Sequence, residues 1–210
     1  MTNVNAKRLV AEGYDRIAER LLAHQRRLPP SGRKQAYLER LTRGLPDGAW
    51  LLDLGCGPSE QSAWLGGRFR VAGVDFSRSQ LALARAHAPA ATFLLADMCS
   101  LQFRPASFDA IAAIYSIIHV PREEHEALLR NLHSFLRPGG RLFAVFGTRD
   151  SVGTEENWLE LGAEMYWSQF DSDTNAAMLR AAGFEITRSE IVPDNLGEGA
   201  HLFVLAEKPA

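Results

Sequence analysis

The sequence has little cysteine, no long apolar run and no excess of charge of one sign. Two cysteines in 210 residues are too few for a disulfide framework and favour a reducing compartment. The longest mainly apolar run, residues 110–120, has 11 residues, whereas a membrane-spanning helix needs about 20. Residues 1–10 are polar and lack the apolar segment of a secretion signal. We therefore expect a cytoplasmic protein with no membrane partner.

The charge balance bears on the class of partner. Lys and Arg number 23 against 25 Asp and Glu, so the formal net charge is −2. Nucleic-acid binding through the phosphate backbone usually needs a basic excess, so we expect no nucleic-acid partner. A composition of 46% hydrophobic and 23% charged residues is typical of a folded globular chain. Its length predicts a single domain, residues 1–210.

Short apolar runs alternate with amphipathic stretches through the middle of the chain, which indicates βαβ units and a parallel sheet. The predicted strands are 50–54, 70–74, 92–95, 110–115 and 141–146, with helices at 61–65, 79–87 and 123–136. A helix at 171–182 follows, and then two strands at 184–192 and 202–206. Because no helix is predicted between these two strands, they are expected to form an antiparallel hairpin. The expected fold is α/β and Rossmann-like, with a mostly parallel, seven-stranded, doubly wound sheet and helices on both faces.

Two segments fall outside this alternation. Helical spacing up to Pro29 and Pro30, and again over 34–43, predicts an N-terminal helical cap at residues 1–46. Residues 148–170 show no clean strand but carry several aromatic side chains, which indicates either a lid over an acceptor site or core beneath a long loop. His125 and His133 lie on the predicted helix 123–136, and we expect both on its solvated face.

The most informative pattern is a set of acids at strand ends. Asp53, Asp75 and Asp97 end three successive predicted strands at intervals of 22 residues, so they surround the crevice where open α/β sheets bind ligands. Between the first strand and its helix, Gly55 and Gly57 allow positive φ and close approach of a ligand to the backbone. An acid about 20 residues after such a loop is placed to accept hydrogen bonds from ribose hydroxyls.

The residue after this loop bears on which nucleotide is bound. Glu60 occupies the third glycine position of the dinucleotide fingerprint, and its carboxylate would repel the phosphate that a helix N-terminus otherwise attracts. An acidic rim suits a cofactor that is neutral or cationic at its reactive end, such as S-adenosylmethionine. An NAD-dependent oxidoreductase remains the less favoured alternative.

The motifs in combination resemble the class I S-adenosylmethionine-dependent methyltransferases of the small-molecule type. They are LDLGCG at 52–57, GVDFS at 73–77, ADM at 96–98, FD at 108–109 and LRPGG at 136–140. The resemblance implies direct in-line transfer of a methyl group to a small-molecule acceptor, with S-adenosylhomocysteine as product. A non-catalytic S-adenosylmethionine-binding module remains an alternative, because acceptor-side residues vary with function. We expect a monomer or a homodimer.

The resemblance also implies which residues bind the cofactor. Gly55 and Gly57 would hold the methionine end, Asp75 the ribose hydroxyls, and Asp97 the adenine amino group. Where the family usually has a further glycine this chain has Ser59, which we expect to act as a helix N-cap. The full set of predicted cofactor-binding residues is Tyr14, Asp53, Gly55, Cys56, Gly57, Ser59, Asp75, Phe76, Ser77, Asp97, Met98 and Tyr115.

The candidates for chemistry and acceptor binding lie further along the chain. His119 follows an apolar run and is a candidate general base, because imidazole titrates near neutrality; the alternative is a structural histidine. Methyl transfer also proceeds through positioning alone, so a base is optional. The predicted acceptor-binding residues are Arg149, which suits an acidic acceptor, Trp158, Tyr166 and Trp167. We predict no metal site, since no His or Cys pair has a ligand spacing.

Overall fold

The computed structural model describes residues 2–28, 32–194 and 199–210. Pro29, Pro30 and part of the connection between the two C-terminal predicted strands therefore lie outside the described residues. The strands are β1 (Trp50–Leu54), β2 (Arg70–Asp75), β3 (Thr92–Leu95), β4 (Phe108–Ala113), β5 (Leu136–Phe146), β6 (Ser151–Glu155), β7 (Met165–Gln169), β8 (Glu185–Pro193) and β9 (Ala200–Glu207). The α-helices are α1 (Asn3–Gln25), α2 (Gly32–Thr42), α3 (Glu60–Leu65), α4 (Arg78–His87), α5 (His125–Phe135) and α6 (Ser172–Ala181).

A seven-stranded sheet in the order β3-β2-β1-β4-β5-β9-β8 forms the centre of the molecule. Strands β1 to β5 pair in parallel, whereas β9 is antiparallel to both β5 and β8. The predicted Rossmann-like fold and its C-terminal antiparallel hairpin are therefore confirmed. Because β1 lies between β2 and β4, the strand order reverses there, and a crevice opens at the carboxyl ends of these strands.

Both faces of the sheet are buried because successive strand side chains point to opposite sides. In β1, Leu52 belongs to the cluster that packs on α5 and α6, whereas its neighbour Leu51 belongs to the cluster that packs on α2 and α3. In β5, Leu142 and Phe143 divide in the same way and are both fully buried. In the part of the chain that the structure describes, no helix is long and apolar enough to span a membrane.

The segment predicted to lack strands contains a hairpin, so that prediction was wrong. Strands β6 and β7 pair antiparallel as a separate two-stranded sheet. All five residues of β6 are exposed, so it carries no alternation of apolar and polar residues by which a strand is recognised. Strand β7 packs on α1 through a cluster that includes Val10, Ile17, Trp158 and Met165. We call α1, β6 and β7 together the wall.

A second correction concerns His125, expected on a solvated helix face. Its side chain is only 2% exposed, and Nε2 lies 2.9 Å from the carbonyl oxygen of Val120. The cause is position, because His125 is the first residue of α5 and contacts the turn that precedes the helix. Phe170 meets its ring edge to face at 5.5 Å. His133 is half-buried beside Phe184.

Asp15 fastens α1 to the first turn of α4. Its Oδ1 accepts hydrogen bonds from Ser77 Oγ at 2.6 Å and from the Ser79 amide at 2.8 Å. Ser77 in turn caps α4 by accepting from the Gln80 amide. A carboxylate at a helix N-terminus also interacts favourably with the helix dipole. The interaction joins the wall to the edge of the sheet.

We predict that Asp15→Ala lowers the free energy of unfolding by about 1–2 kcal/mol, the usual effect of losing an N-terminal helix cap. Chemical denaturation of the full chain measures it. Glu12→Ala is the matched control, because Glu12 is an exposed acid on the same helix whose loss should change stability by less than about 0.5 kcal/mol. Equal effects of the two substitutions would show that the Asp15 contacts do not stabilise the fold.

Candidate functional site

A cleft of about 770 Å³ lies between the carboxyl ends of the parallel strands and the wall. This volume is in the range of small-molecule sites. Most of the predicted site residues line it, namely Tyr14, Gly55, Cys56, Gly57, Asp75, Phe76, Asp97, Met98, Tyr115, His119, Arg149, Trp158 and Trp167. Four others, Asp53, Ser59, Ser77 and Tyr166, lie behind its surface.

The glycine turn after β1 forms the floor of the cleft. Gly55 has a φ of 62°, and a Cβ there would lie 2.3 Å from Ser116 Cβ. Gly57 has a φ of 53°, so both positions favour glycine. The amide of Gly57 donates to Asp75 Oδ2 at 2.9 Å. The loop after β1 is thereby held against the end of β2.

Asp75 uses both carboxylate oxygens to hold backbone. Its Oδ1 accepts from the Ser77 amide at 2.9 Å, while Oδ2 accepts from Gly57. Burial raises the pKa of this carboxyl, and the backbone hydrogen bonds only partly offset that effect. Each oxygen retains a second acceptor site. The side chain can therefore also accept from the hydroxyl groups of a ligand in the cleft.

Asp53 stands behind the glycine turn rather than in the cleft, contrary to its predicted contact with the cofactor. It is 1% exposed and accepts from Ser62 Oγ at 2.6 Å. Burial raises the pKa of its carboxyl to about 6, since the hydrogen bonds from Ser62 and Gln61 do not fully offset desolvation. Its contacts with Ser62 and Gln61 join the end of β1 to α3 behind the glycine turn.

The prediction that Ser59 caps α3 with its side chain was wrong. The residue occupies the N-cap position, but its φ is 62° and it makes no side-chain cap hydrogen bond. Its Oγ instead lies 3.4 Å from the carbonyl oxygen of Cys56. A left-handed backbone explains why glycine suits this position. Ser77 also lies behind the cleft surface, where it caps α4.

Two residues outside the predicted cofactor-binding set, Gln80 and Ser116, face the glycine turn. Gln80 is 2% exposed, and its Oε1 has no hydrogen-bond partner among the described residues. Ser116 Oγ is likewise buried without a partner there. Buried polar atoms are normally satisfied, so these two point to polar ligand atoms. The only sequence signal was a glutamine beside Leu81 on the buried face of α4.

Lys7 is a third such residue, and it closes one end of the cleft. Its Nζ lies 2.7 Å from Asp97 Oδ2 and also contacts Glu124. Burial opposes the ammonium charge, but the hydrogen bonds to the two carboxylates outweigh it and raise the pKa of Lys7. Asp97, Glu124 and Cys99 bring possible metal-ligand atoms within 4.8 Å of one another. Since Lys7 Nζ already lies against both carboxylates, this group has a cation partner without a metal.

Tyr14 and His119 meet across the cleft. The Tyr14 hydroxyl lies 2.8 Å from His119 Nε2, and His119 Nδ1 lies 2.8 Å from the carbonyl oxygen of Tyr166. A carbonyl only accepts, so Nδ1 carries the proton and Nε2 accepts from Tyr14. Burial lowers the pKa of His119 to about 4. The imidazole is thus neutral at pH 7 with its lone pair occupied, which does not support the general-base hypothesis.

The far end of the cleft collects aromatic and polar side chains. The Trp167 ring lies 4.5 Å from that of His119, while Trp158 packs in the cluster beneath the wall and reaches the cleft surface. Tyr166 gives only its carbonyl to this region, because its side chain packs in the same cluster with α1. Arg149 is exposed at the rim.

Comparisons with known proteins bear on the family to which the chain belongs. Residues 51–140 match the model of a methyltransferase domain. The O-methyltransferase rstn1 of Aspergillus nomiae is 32% identical over 179 residues, which cover 78% of this chain and 79% of that protein. Methyltransferase GfsG of Streptomyces halstedii is 37% identical over 134 residues, 55% of this chain and 48% of GfsG. The trans-aconitate 2-methyltransferase of Variovorax paradoxus is 34% identical over 128 residues, which cover 60% of this chain and 49% of that protein.

The chain thus spans about half the length of GfsG and of the trans-aconitate enzyme. Among solved structures, the [4+2]-cyclase SpnF has a TM-score of 0.72 at 20% identity, covering 95% of both chains. The 1,6-didemethyltoxoflavin-N1-methyltransferase of Burkholderia thailandensis, solved with S-adenosylhomocysteine, has a TM-score of 0.66 at 23% identity, covering 85% of this chain and 79% of that one. Both likenesses concern the fold.

Fold and cleft together define an α/β nucleotide-binding protein in which acids and a glycine turn meet at the strand-order reversal. The sequence relatives make the assignment more specific. The chain belongs to the class I S-adenosylmethionine-dependent methyltransferase family.

We predict that Ser59→Gly raises the free energy of unfolding by about 1 kcal/mol, because glycine adopts the left-handed backbone without the Cβ penalty. Ser59→Ala is the control: it keeps that penalty and loses the Oγ contact, so its stability should fall. Urea denaturation of the three proteins measures both effects. A glycine variant no more stable than the parent would contradict this account of the turn.

We predict that Asp53→Asn becomes progressively more stable than the parent as the pH rises from about 4 to about 6. The folded-state pKa of about 6 lies above the ordinary value of 3.8. The folded protein therefore binds this proton more tightly than the unfolded chain, and the parent loses stability when the proton leaves. Asparagine has no proton to lose and can still accept from Ser62. Urea denaturation at several pH values checks this; a constant difference between the two proteins contradicts it.

Proposed function

We propose that this protein transfers the methyl group of S-adenosylmethionine to a small-molecule acceptor by direct in-line displacement. The observation that carries the proposal is the hydrogen bond from the Gly57 amide to Asp75. It places the glycine turn and a carboxylate that can accept from hydroxyl groups in one cleft. When bound, S-adenosylmethionine supplies an electrophilic methyl group on a sulfonium centre.

The residues of the cleft fit that cofactor. Gly55 and Gly57 leave room beside the backbone for the methionine end. Gln80 Oε1, which has no partner among the residues that the structure describes, can accept from its ammonium group. Asp75 has acceptor capacity for the ribose hydroxyls. Asp97, which Lys7 holds in place, is assigned to the adenine amino group, with Phe76 and Met98 beside the ring.

Tyr14 gives the wall its role in the reaction. Its side chain is half-buried, and burial raises the pKa of the phenol, so it stays a neutral hydroxyl that His119 orients. We assign to Tyr14 the closure of the cleft over the methionine end of the cofactor. Exclusion of water strengthens the electrostatic interactions within a site and prevents side reactions.

The acceptor is assigned to the end of the cleft beneath residues 148–170, with Trp158, Trp167, Tyr115 and Arg149 on its surface. Aromatic surfaces bind the body of a small molecule, and a guanidinium binds an acidic group. Several similar proteins are named as trans-aconitate 2-methyltransferases, and trans-aconitate carries carboxylates of the kind Arg149 suits. A cytoplasmic location, the absence of a nucleic-acid partner and a monomeric or homodimeric state remain predictions from the sequence, and we include them in this proposal.

Calorimetric titration with S-adenosylhomocysteine, run beside NAD, tests the cofactor assignment. We predict that the parent binds the former and not NAD, and that Asp75→Ala weakens binding at least tenfold, or about 1.4 kcal/mol. Asp47→Ala is the matched control, because Asp47 is an exposed acid outside the cleft.

Binding of NAD alone would favour the oxidoreductase alternative. If Asp75→Ala binds S-adenosylhomocysteine as tightly as the parent, Asp75 does not contact the cofactor. If S-adenosylhomocysteine binds but labelled S-adenosylmethionine transfers no methyl group to a broad panel of hydroxyl, amine and carboxylate acceptors, the non-catalytic binding module is the better account.

A further inference from the structure

We propose that His201, oriented by Asp194, is the general base that takes the proton of a hydroxyl-bearing acceptor. The proposal rests on the methyl-transfer function above and names a residue and an acceptor class for it. Both side chains line the cleft at its acceptor end. Neither was a candidate from the sequence, because they lie on the C-terminal hairpin, far along the chain from the cofactor motifs.

The hairpin of β8 and β9 brings the pair together. Asp194 follows the end of β8 and His201 is the second residue of β9, and their Oδ2 and Nδ1 atoms are 3.8 Å apart. The side chains are 18% and 13% exposed. The Thr148 hydroxyl donates to the carbonyl oxygen of Ala200 at 3.1 Å. Since Thr148 follows β5, this bond fixes the start of β9 against the same rim of the sheet.

The Nδ1 atom of His201 is buried and has no hydrogen-bond partner among the described residues. The proposal requires the 3.8 Å separation between this atom and Asp194 Oδ2 to shorten to hydrogen-bond distance. With Nδ1–H directed at the carboxylate, the lone pair of a neutral imidazole lies on Nε2. This is the arrangement in which a carboxylate both fixes the tautomer and stabilises the imidazolium that forms on proton uptake.

His119 provides the contrast within the same cleft. Both of its ring nitrogens have partners, Tyr14 and the Tyr166 carbonyl. Among the described residues, no carboxylate forms a hydrogen bond or ion pair with it. His201 has a carboxylate oxygen 3.8 Å from Nδ1, and among the described residues that atom has no hydrogen-bond partner. Of the two imidazoles, His201 is the one with a carboxylate beside it, whereas both ring nitrogens of His119 are already engaged.

The other groups that face His201 do not compete for the proton. Tyr115 meets its ring edge to face at 5.0 Å, and burial together with the Asp194 charge raises the pKa of that phenol. His119 is close enough for its pKa to be lowered by His201. Burial lowers the pKa of His201 and Asp194 opposes that effect. His201 is therefore neutral at pH 7 and able to accept a proton.

The acceptor oxygen forms a bond to the methyl carbon while the methyl–sulfur bond breaks and leaves its electron pair on sulfur. The hydroxyl proton moves to Nε2 of His201, and the Asp194 carboxylate balances the resulting charge. A carboxylate acceptor has no proton to lose and would need no such base. The pair therefore favours an alcohol or phenol as acceptor.

The first test needs no turnover. Imidazole NMR of the ¹⁵N-histidine-labelled full chain, assigned with His201→Gln, should show His201 titrating reversibly with its pKa below the ordinary value of 6.5. In Asp194→Asn its midpoint should fall by at least about 0.5 unit, because the charge that favours the imidazolium is gone. The His119 resonance should stay in its neutral form above pH 5. An unchanged midpoint in Asp194→Asn, or no titration of His201 above pH 4, overturns the proposal.

The second test uses catechol and hydroquinone as hydroxyl probes and trans-aconitate as a carboxylate probe. His201→Gln should lower kcat on a hydroxyl probe by about a hundredfold and leave S-adenosylhomocysteine affinity unchanged. His133→Gln, whose side chain lies outside the cleft, is the control and should match the parent. Equal rates for His201→Gln and the parent overturn the proposal, as does methylation of trans-aconitate alone, which leaves the methyltransferase function intact. If no probe is methylated, the NMR titration decides.

Discussion

The site depends on one helix being fastened across the carboxyl edge of the sheet. Helix α1 reaches the sheet through three side chains, Lys7 to Asp97, Tyr14 to His119 and Asp15 to the first turn of α4. Lys7 and Tyr14 are seven residues apart, about two helical turns, so they lie on the same face. Without these contacts the strands and the glycine turn would form an open crevice. With them, the wall covers the crevice and makes it a cleft.

The contacts that form this cleft bury charge and polar groups together with their partners. Lys7 lies between two carboxylates, Asp75 accepts two backbone amides, and Asp53 accepts from Ser62. Burying such groups unpaired costs free energy, so the pairs also fix geometry. Two exceptions at the cleft are informative: Gln80 Oε1 and Ser116 Oγ are buried next to the glycine turn and have no hydrogen-bond partner among the described residues. They mark where the ligand's polar atoms belong.

Local pattern was enough to predict the sheet, because alternation, helical spacing and strand-ending acids are properties of short segments. Asp75 and the two glycines were found in this way. The Tyr14–His119 and Lys7–Asp97 contacts join residues 105 and 90 positions apart, and only the path of the chain brings them together. Strand β6 carries no alternation because it is wholly exposed. Ser59 was misassigned because residue type shows capping ability but not the left-handed backbone.

The central claim is that α1 is part of the cofactor site, and hydrogen exchange with and without S-adenosylhomocysteine tests it most directly. Bound ligand should slow exchange not only in the glycine turn but also in α1 around Tyr14 and in β7, because the Tyr14–His119 and Asp15–Ser77 contacts couple the wall to the cleft floor. Protection confined to the turn after β1 and the end of β2, with α1 exchanging as before, would contradict the account.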